Sequence, residues 1–219
     1  MKRFLVGLVL AAGVVASSPA RADGIDGLGH VSVGGGFRWV PNWWFQGKAA
    51  DAGTPMIPTI DGGPQANASF GLGVTSYLAA SINLLGGYQA FQLSLPDGQI
   101  DNYSSTTFGA LLGGRLAGAD VFFKGFMPYL ELQAGPIISV IGAPHTMIPE
   151  RVVLGLSAAG GISYRFLPKY GVTLEVRYLA ARNSVPDISG INVGGVWFSA
   201  MFTMYFPPSL KRDSDSMSF

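Results

Sequence analysis

Residues 170–180 read YGVTLEVRYLA, and few folds admit such a stretch. Tyr170, Val172, Leu174, Val176, Tyr178 and Ala180 alternate with Thr173, Glu175, Arg177 and Leu179. The period is two, so the segment is a strand whose two faces differ in chemistry. One face suits oil. The other aims a carboxylate and a guanidinium in the same direction, two residues apart. That charged face must meet either bulk water or the inside of something closed.

The same alternation recurs along the chain and predicts about eight strands: 30–40, 65–75, 78–91, 105–116, 129–141, 152–166, 170–180 and 191–206. In the second, Ala66, Ala68, Phe70, Leu72 and Val74 oppose Gln65, Asn67, Ser69, Gly71 and Thr75. In the fifth, Leu130, Leu132, Ala134, Ile138 and Val140 oppose Glu131, Gln133, Gly135 and Ser139. Pro136 lacks a ladder donor, so a bulge or local irregularity is expected there. The eighth has the least clean polar face, where Trp197, Met201 and Tyr205 join Ser199 and Thr203. The connections 40–64, 93–103, 142–151 and 181–190 are long. Those at 76–77 and 167–169 are short, with 117–126 an exception that overlaps strand ends. Short turns at one end and long loops at the other are the pattern of a membrane barrel.

Charge decides which face meets oil. Arg38, Arg115, Glu131, Arg165, Glu175 and Arg177 all fall on the polar face of their strands, and the remaining charges are expected in loops, turns or tails. An Arg or Lys on a lipid face costs ~2–4 kcal/mol at mid-depth, so this segregation is what a membrane barrel requires. A soluble barrel such as a lipocalin has similar alternation but turns its polar face to water. Solvated sheets carry many long charged side chains. Here charged residues make up 12% of the chain, against ~25% in soluble domains. The polar faces are instead rich in Gly, Ser, Ala and Thr, which suit the cramped interior of an eight-stranded barrel. Glycine reaches 31 of 219 residues, twice its usual ~7% share. Trp39, Tyr88, Tyr164, Phe166, Tyr170, Tyr178 and Phe206 sit near strand ends on the apolar faces, where an aromatic girdle is expected. The predicted class is therefore all-β: an eight-stranded antiparallel up-and-down transmembrane β-barrel.

The chain opens MKRFLVGLVLAAGVVASSPARAD. Lys2 and Arg3 precede an apolar run over 4–16, and Ala20-Arg21-Ala22 offers small residues for cleavage. This is the layout of a signal peptide over 1–22, and the run is short of the ~20 residues of a spanning helix. The barrel then occupies 23–206, and 207–219 is expected to be a disordered polar tail. There is no cysteine, so disulfides and thiolate metal sites are excluded. Lys+Arg number 14 and Asp+Glu 13; without Lys2, Arg3 and Arg21 the balance is 11 to 13, no footprint for nucleic acid.

The stretches PYLELQAGP (128–136), AAGGISYRFLPKYGVTLEVRYL (158–179) and WFSAMFTMYF (197–206) resemble the small outer-membrane β-barrel superfamily, the barrels similar to outer membrane protein A. The resemblance covers nearly the whole mature chain and implies an outer-membrane location with both termini in the periplasm. It also implies contact with outer-membrane lipid and lipopolysaccharide, and recognition of a terminal-strand aromatic by the barrel-assembly machinery. Phe206 fits that aromatic. The tail that follows it departs from the usual ending.

Little in the sequence points to chemistry. SVGGGF, at 32–37, reads as close sheet packing rather than a nucleotide loop. The two histidines, His30 and His145, stand in no metal or hydrolase motif, so no catalytic residue, metal or cofactor is expected. The one sharp constellation is the set of strand charges, Arg38, Arg115, Arg165 and Arg177 facing Glu131 and Glu175. In a narrow lumen these form a paired plug. The expected function is structural or surface-interacting, through the extracellular loops, whose ligand the sequence does not name. The alternatives are a narrow passage for small hydrophobic solutes and, third, a lipid-modifying enzyme.

Overall fold

The computed structural model describes residues 25–40, 56–57, 62–94, 98–142, 147–185 and 188–206. The signal segment, the tail, most of the 40–64 connection and His145 lie outside the described residues. The strands are β1 (Gly29–Trp39), β2 (Met56–Ile57), β3 (Gly63–Gly73), β4 (Leu78–Ser94), β5 (Ile100–Ala117), β6 (Phe126–Gly142), β7 (Met147–Arg165), β8 (Tyr170–Val185), β9 (Ile188–Asn192) and β10 (Gly195–Phe206). β2 and β9 are short additions paired to β4 and β8. The other eight form the wall, each antiparallel to its neighbours, and β10 pairs with both β8 and β1 to close it.

Register fixes the barrel's shape. Stepping from partner to partner, Gly29 leads through Leu72, Ala80, Gly114, Leu132, Ala158, Tyr178 and Val196 to Trp39. One circuit thus returns to β1 ten residues further along, and a stagger of this kind makes the strands tilt by roughly 35–45°. Gly29 pairs with Phe206, so both ends of the described wall lie at one rim, together with the turns at 74–77, 118–125 and 166–169.

The faces are those of a membrane protein. Glu131, Arg177, Asn83, Thr107 and Thr203 are buried in the lumen, while Leu132 and Leu154 are 66% and 70% exposed on the outside. A continuous exposed apolar band of this kind needs a nonaqueous surrounding, because soluble monomers rarely leave patches beyond a few hundred Å² uncovered. Hydrocarbon also forbids an open sheet edge, and pairing of β10 with both β8 and β1 leaves no edge strand in the eight-stranded wall.

Three sequence expectations are corrected in detail. Several strands run further at the loop rim than alternation predicts: β5 starts at Ile100, β7 at Met147, and β8 continues to Val185. Asp101, Glu150, Arg151 and Arg182 therefore lie in strands rather than loops. Arg182 is exposed, and with the exposed Gln92–Asn102 hydrogen bond (2.8 Å) it marks where the wall has left hydrocarbon for water. Second, the local irregularity expected at Pro136 is present, but as a gap in the ladder rather than a bulge. The β5–β6 ladder lapses between Leu112↔Ala134 and Gly109↔Ile137 with its register kept, and the shift falls instead between Ser139 and Ile141 against β7. Third, the expected eighth strand is divided. Gly195 has φ +99°, which favours glycine, and the chain bends there between β9 and β10.

Candidate functional site

The lumen is the candidate site, and its contents are stacked in layers. At the turn rim, residues 25–28 fold across the opening: Ile25 N–H donates to Ser76 O (3.1 Å) and Gly27 N–H to Gly73 O (3.1 Å). This seats Ile25 and Leu28 in an apolar cluster with Ala79, Ala117, Met127, Tyr129 and Tyr205. A cavity of about 30 Å³ remains among these residues, His30, Ser163 and Arg115, large enough to hold water. Just above, Ser163, Thr173, Thr203 and Ser32 are joined hydroxyl to hydroxyl at 2.7–2.8 Å.

The middle layer holds the ions. Arg115 and Glu131 are direct cross-strand partners on β5 and β6, 3.3 Å apart. The same Glu131 oxygen lies 3.0 Å from Arg177, whose Nε donates to Glu175 at 2.9 Å. Two arginines thus meet two glutamates, and the set is neutral. Neutral side chains fill most of the remaining valences, with Arg115 Nε left without a partner among the described residues. Tyr129 Oη donates to Glu175 (2.8 Å), Gln133 Nε2 to Glu131 (2.9 Å), and Arg177 to Gln133 (2.6 Å) and Ser157 (2.8 Å). Arg115 donates to His30 Nε2 at 2.8 Å and stacks on Tyr129, 4.0 Å from the ring centre. A guanidinium can only donate, so Nε2 accepts and the ring proton sits on Nδ1. Satisfaction of this order is what makes buried charge tolerable.

Above the ions lies a second apolar layer of Leu85, Leu111, Ile137, Leu179, Ala181, Val193 and Trp197. Glycines make room for it. A Cβ on Gly109 or Gly155 would stand 2.3 or 2.5 Å from Ile137, and one on Gly87 would stand 2.8 Å from Trp197. A narrow barrel seats such side chains only where the facing wall is bare backbone.

Arg38 belongs to this upper layer and not to the ion network. It donates to the backbone carbonyls of Gly194 (2.9 Å) and Val193 and to Thr107 Oγ1 (3.1 Å), and lies 5.5 Å from the centre of the Trp197 ring. It ties the bend between β9 and β10 to the mouth of the barrel. Arg165, half-buried at the turn rim, lies over Tyr205 at 5.8 Å. Neither Arg38 nor Arg165 forms an ion pair among the described residues, so the six strand charges do not make a single cluster.

Sequence reasoning passed over Tyr129 and the upper apolar layer. Parity was the available signal: Tyr129 shares a face with Glu131 and Gln133, Leu85 with Asn83, and Leu179 with Arg177. Among the girdle residues, Trp39, Tyr88, Tyr164, Phe166, Tyr170 and Phe206 are exposed and Tyr178 is half-buried. Tyr164, Phe166, Tyr170 and Phe206 lie toward the turn rim, and Trp39, Tyr88 and Tyr178 toward the loop rim. Phe122 and Phe123, in the 118–125 turn, add two exposed rings that alternation did not reveal.

This architecture has solved counterparts. Ail, the attachment invasion locus protein of Yersinia pestis, solved with the heparin analogue sucrose octasulfate, matches with a TM-score of 0.50 at 11% identity, over 82% of this chain and 98% of its own. The chain has the fold of the small outer-membrane β-barrels. The N-terminal barrel domain of Pseudomonas aeruginosa OprF matches at 0.46 and 10% identity, over 83% of this chain and 98% of its own. No protein-family model matches the sequence, and no curated protein matches it.

Proposed function

We propose that the protein is a non-enzymatic outer-membrane barrel with a sealed lumen, acting as a surface-interaction scaffold through what it carries at its loop rim. The observation that supports this most is the stacking of two apolar layers around a neutral ion layer. Such a stack favours a plug over a passage for hydrophobic solutes, since a solute would have to break paired charges. The long strands support the same reading. β4 and β5 stay paired as far as Ser94↔Ile100, six residues beyond Tyr88, which at ~3.3 Å per residue lifts this wall well past the apolar band. In this reading both termini are periplasmic. The exposed band meets outer-membrane lipid and lipopolysaccharide, its rings lie at the interfaces, and Phe206 closes the last strand for the barrel-assembly machinery.

The orientation is testable at the hairpin tip. Gly98 is exposed, has φ +83°, and has open space where a Cβ would stand. An epitope inserted there should label on intact cells. One inserted at Phe123, in the opposite rim, should label only after permeabilisation. The reverse pattern would overturn the proposed orientation.

A further inference from the structure

The outer surface is not evenly convex. Across β6, β7, β8, β10 and β1, hydrogen-bonded partners form an outward row of Leu130, Gly160, Val176, Phe198 and Phe37. In the adjacent row Ala200 pairs with Gly35. Gly160, Ala200 and Gly35 carry little or no side chain, so the surface sinks along their line between taller neighbours. The resulting groove encloses about 920 Å³ and ends at Phe122 and Phe126, beside the turn rim.

Its dimensions are those of lipid. Four strand spacings of ~4.8 Å give a length of ~19 Å. The strands tilt by roughly 35–45° from the barrel axis, so a line across them climbs by about 13 Å. One leaflet of hydrocarbon is about 15 Å deep, half the ~30 Å core. The volume lies in the ~300–1,000 Å³ range of ligand sites. The lower end has head-group chemistry: Phe122 and Phe123 are 67% and 55% exposed, and Lys124 beside them is exposed. Asp120, the carboxylate of that turn, is engaged by the Gly125 N–H.

We propose that this groove holds one diacyl phospholipid of the turn-side leaflet, with its chains along the Gly160–Ala200–Gly35 line and its phosphate at Lys124. The inference rests on the transmembrane reading of the fold and adds a specific site to it.

The test uses the mature full-length barrel, purified in detergent micelles containing phosphatidylglycerol and weighed by native mass spectrometry. The wild type should retain one phosphatidylglycerol. Gly160→Leu with Ala200→Leu fills the floor and should lower that adduct about tenfold, the effect of excluding two or so buried methylenes. Ala110→Leu, on the exposed face of β5, is the matched control and should leave it unchanged. Lys124→Gln should weaken retention of phosphatidylglycerol while keeping the barrel. Heat-modifiable migration reports folding separately, so loss of the membrane fold is distinguishable from loss of the site. Should the double variant not fold, Ala200→Leu alone keeps the test, since Ala200 is exposed. Equal adducts in the filled and control variants would overturn the proposal, as would a protein dimer that filling abolishes, which would assign the groove to a second copy.

Discussion

Glu131→Gln should destabilise the folded barrel by about 3–5 kcal/mol, the cost of leaving buried charge without its partner. Glu131 touches both arginines of the ion layer, at 3.3 and 3.0 Å, and is 1% exposed. Removing its charge leaves the layer with two cations and one anion. Arg177 keeps Glu175 at 2.9 Å, so the stranded cation is Arg115. Arg115→Met in the same chain should therefore recover much of the loss. Urea titration of the four variants in lipid vesicles gives the coupling directly. Simple additivity would mean that the two groups do not act as a pair.

Leu174→Arg should cost roughly 2–4 kcal/mol by the same titration, for an unrelated reason. Leu174 is next to Glu175 in the chain, yet it points outward and is 53% exposed, with Ile162 and Ala200 as its cross-strand partners. The new guanidinium would meet hydrocarbon. Arg115→Met should give no rescue here, since no charge inside the lumen has changed. A harmless Leu174→Arg would place this face in water.

The contrast between Leu174 and Glu175 also explains why the barrel was legible in the sequence. Alternation assigns each residue to one of two faces, and six strand charges on one parity told which face is inside. Parity says nothing about height. Arg38, Arg165 and Arg177 share the inward face, but the ten-residue stagger puts them at the loop rim, the turn rim and the middle. Only register separates them, and register depends on turns and long-range pairing. The upper apolar layer was hidden for a related reason. Leu85, Leu111, Ile137 and Leu179 each look like a single lapse in a polar face, and they become a layer only when four strands are brought together. The membrane limit on β8 was equally ambiguous, because β8 stays a strand past Arg182 into water, its partner changing from β10 to β9 and its register shifting between Asn183 and Val185.

The central claim is a barrel with oil outside and a sealed lumen. The absence of cysteine makes it directly measurable. Single cysteines at Thr173, Leu174 and Ser199 can be installed one at a time, and the folded barrel exposed in vesicles to a water-soluble maleimide or, after labelling in denaturant, to brominated lipid. Thr173 and Ser199 are buried in the lumen, whereas Leu174 faces outward. The account predicts that a fluorophore at 174 is quenched by brominated lipid, and that thiols at 173 and 199 resist the maleimide until the barrel is unfolded. Rapid modification at 173 and 199 in the folded state, or lipid quenching there in place of 174, would contradict it.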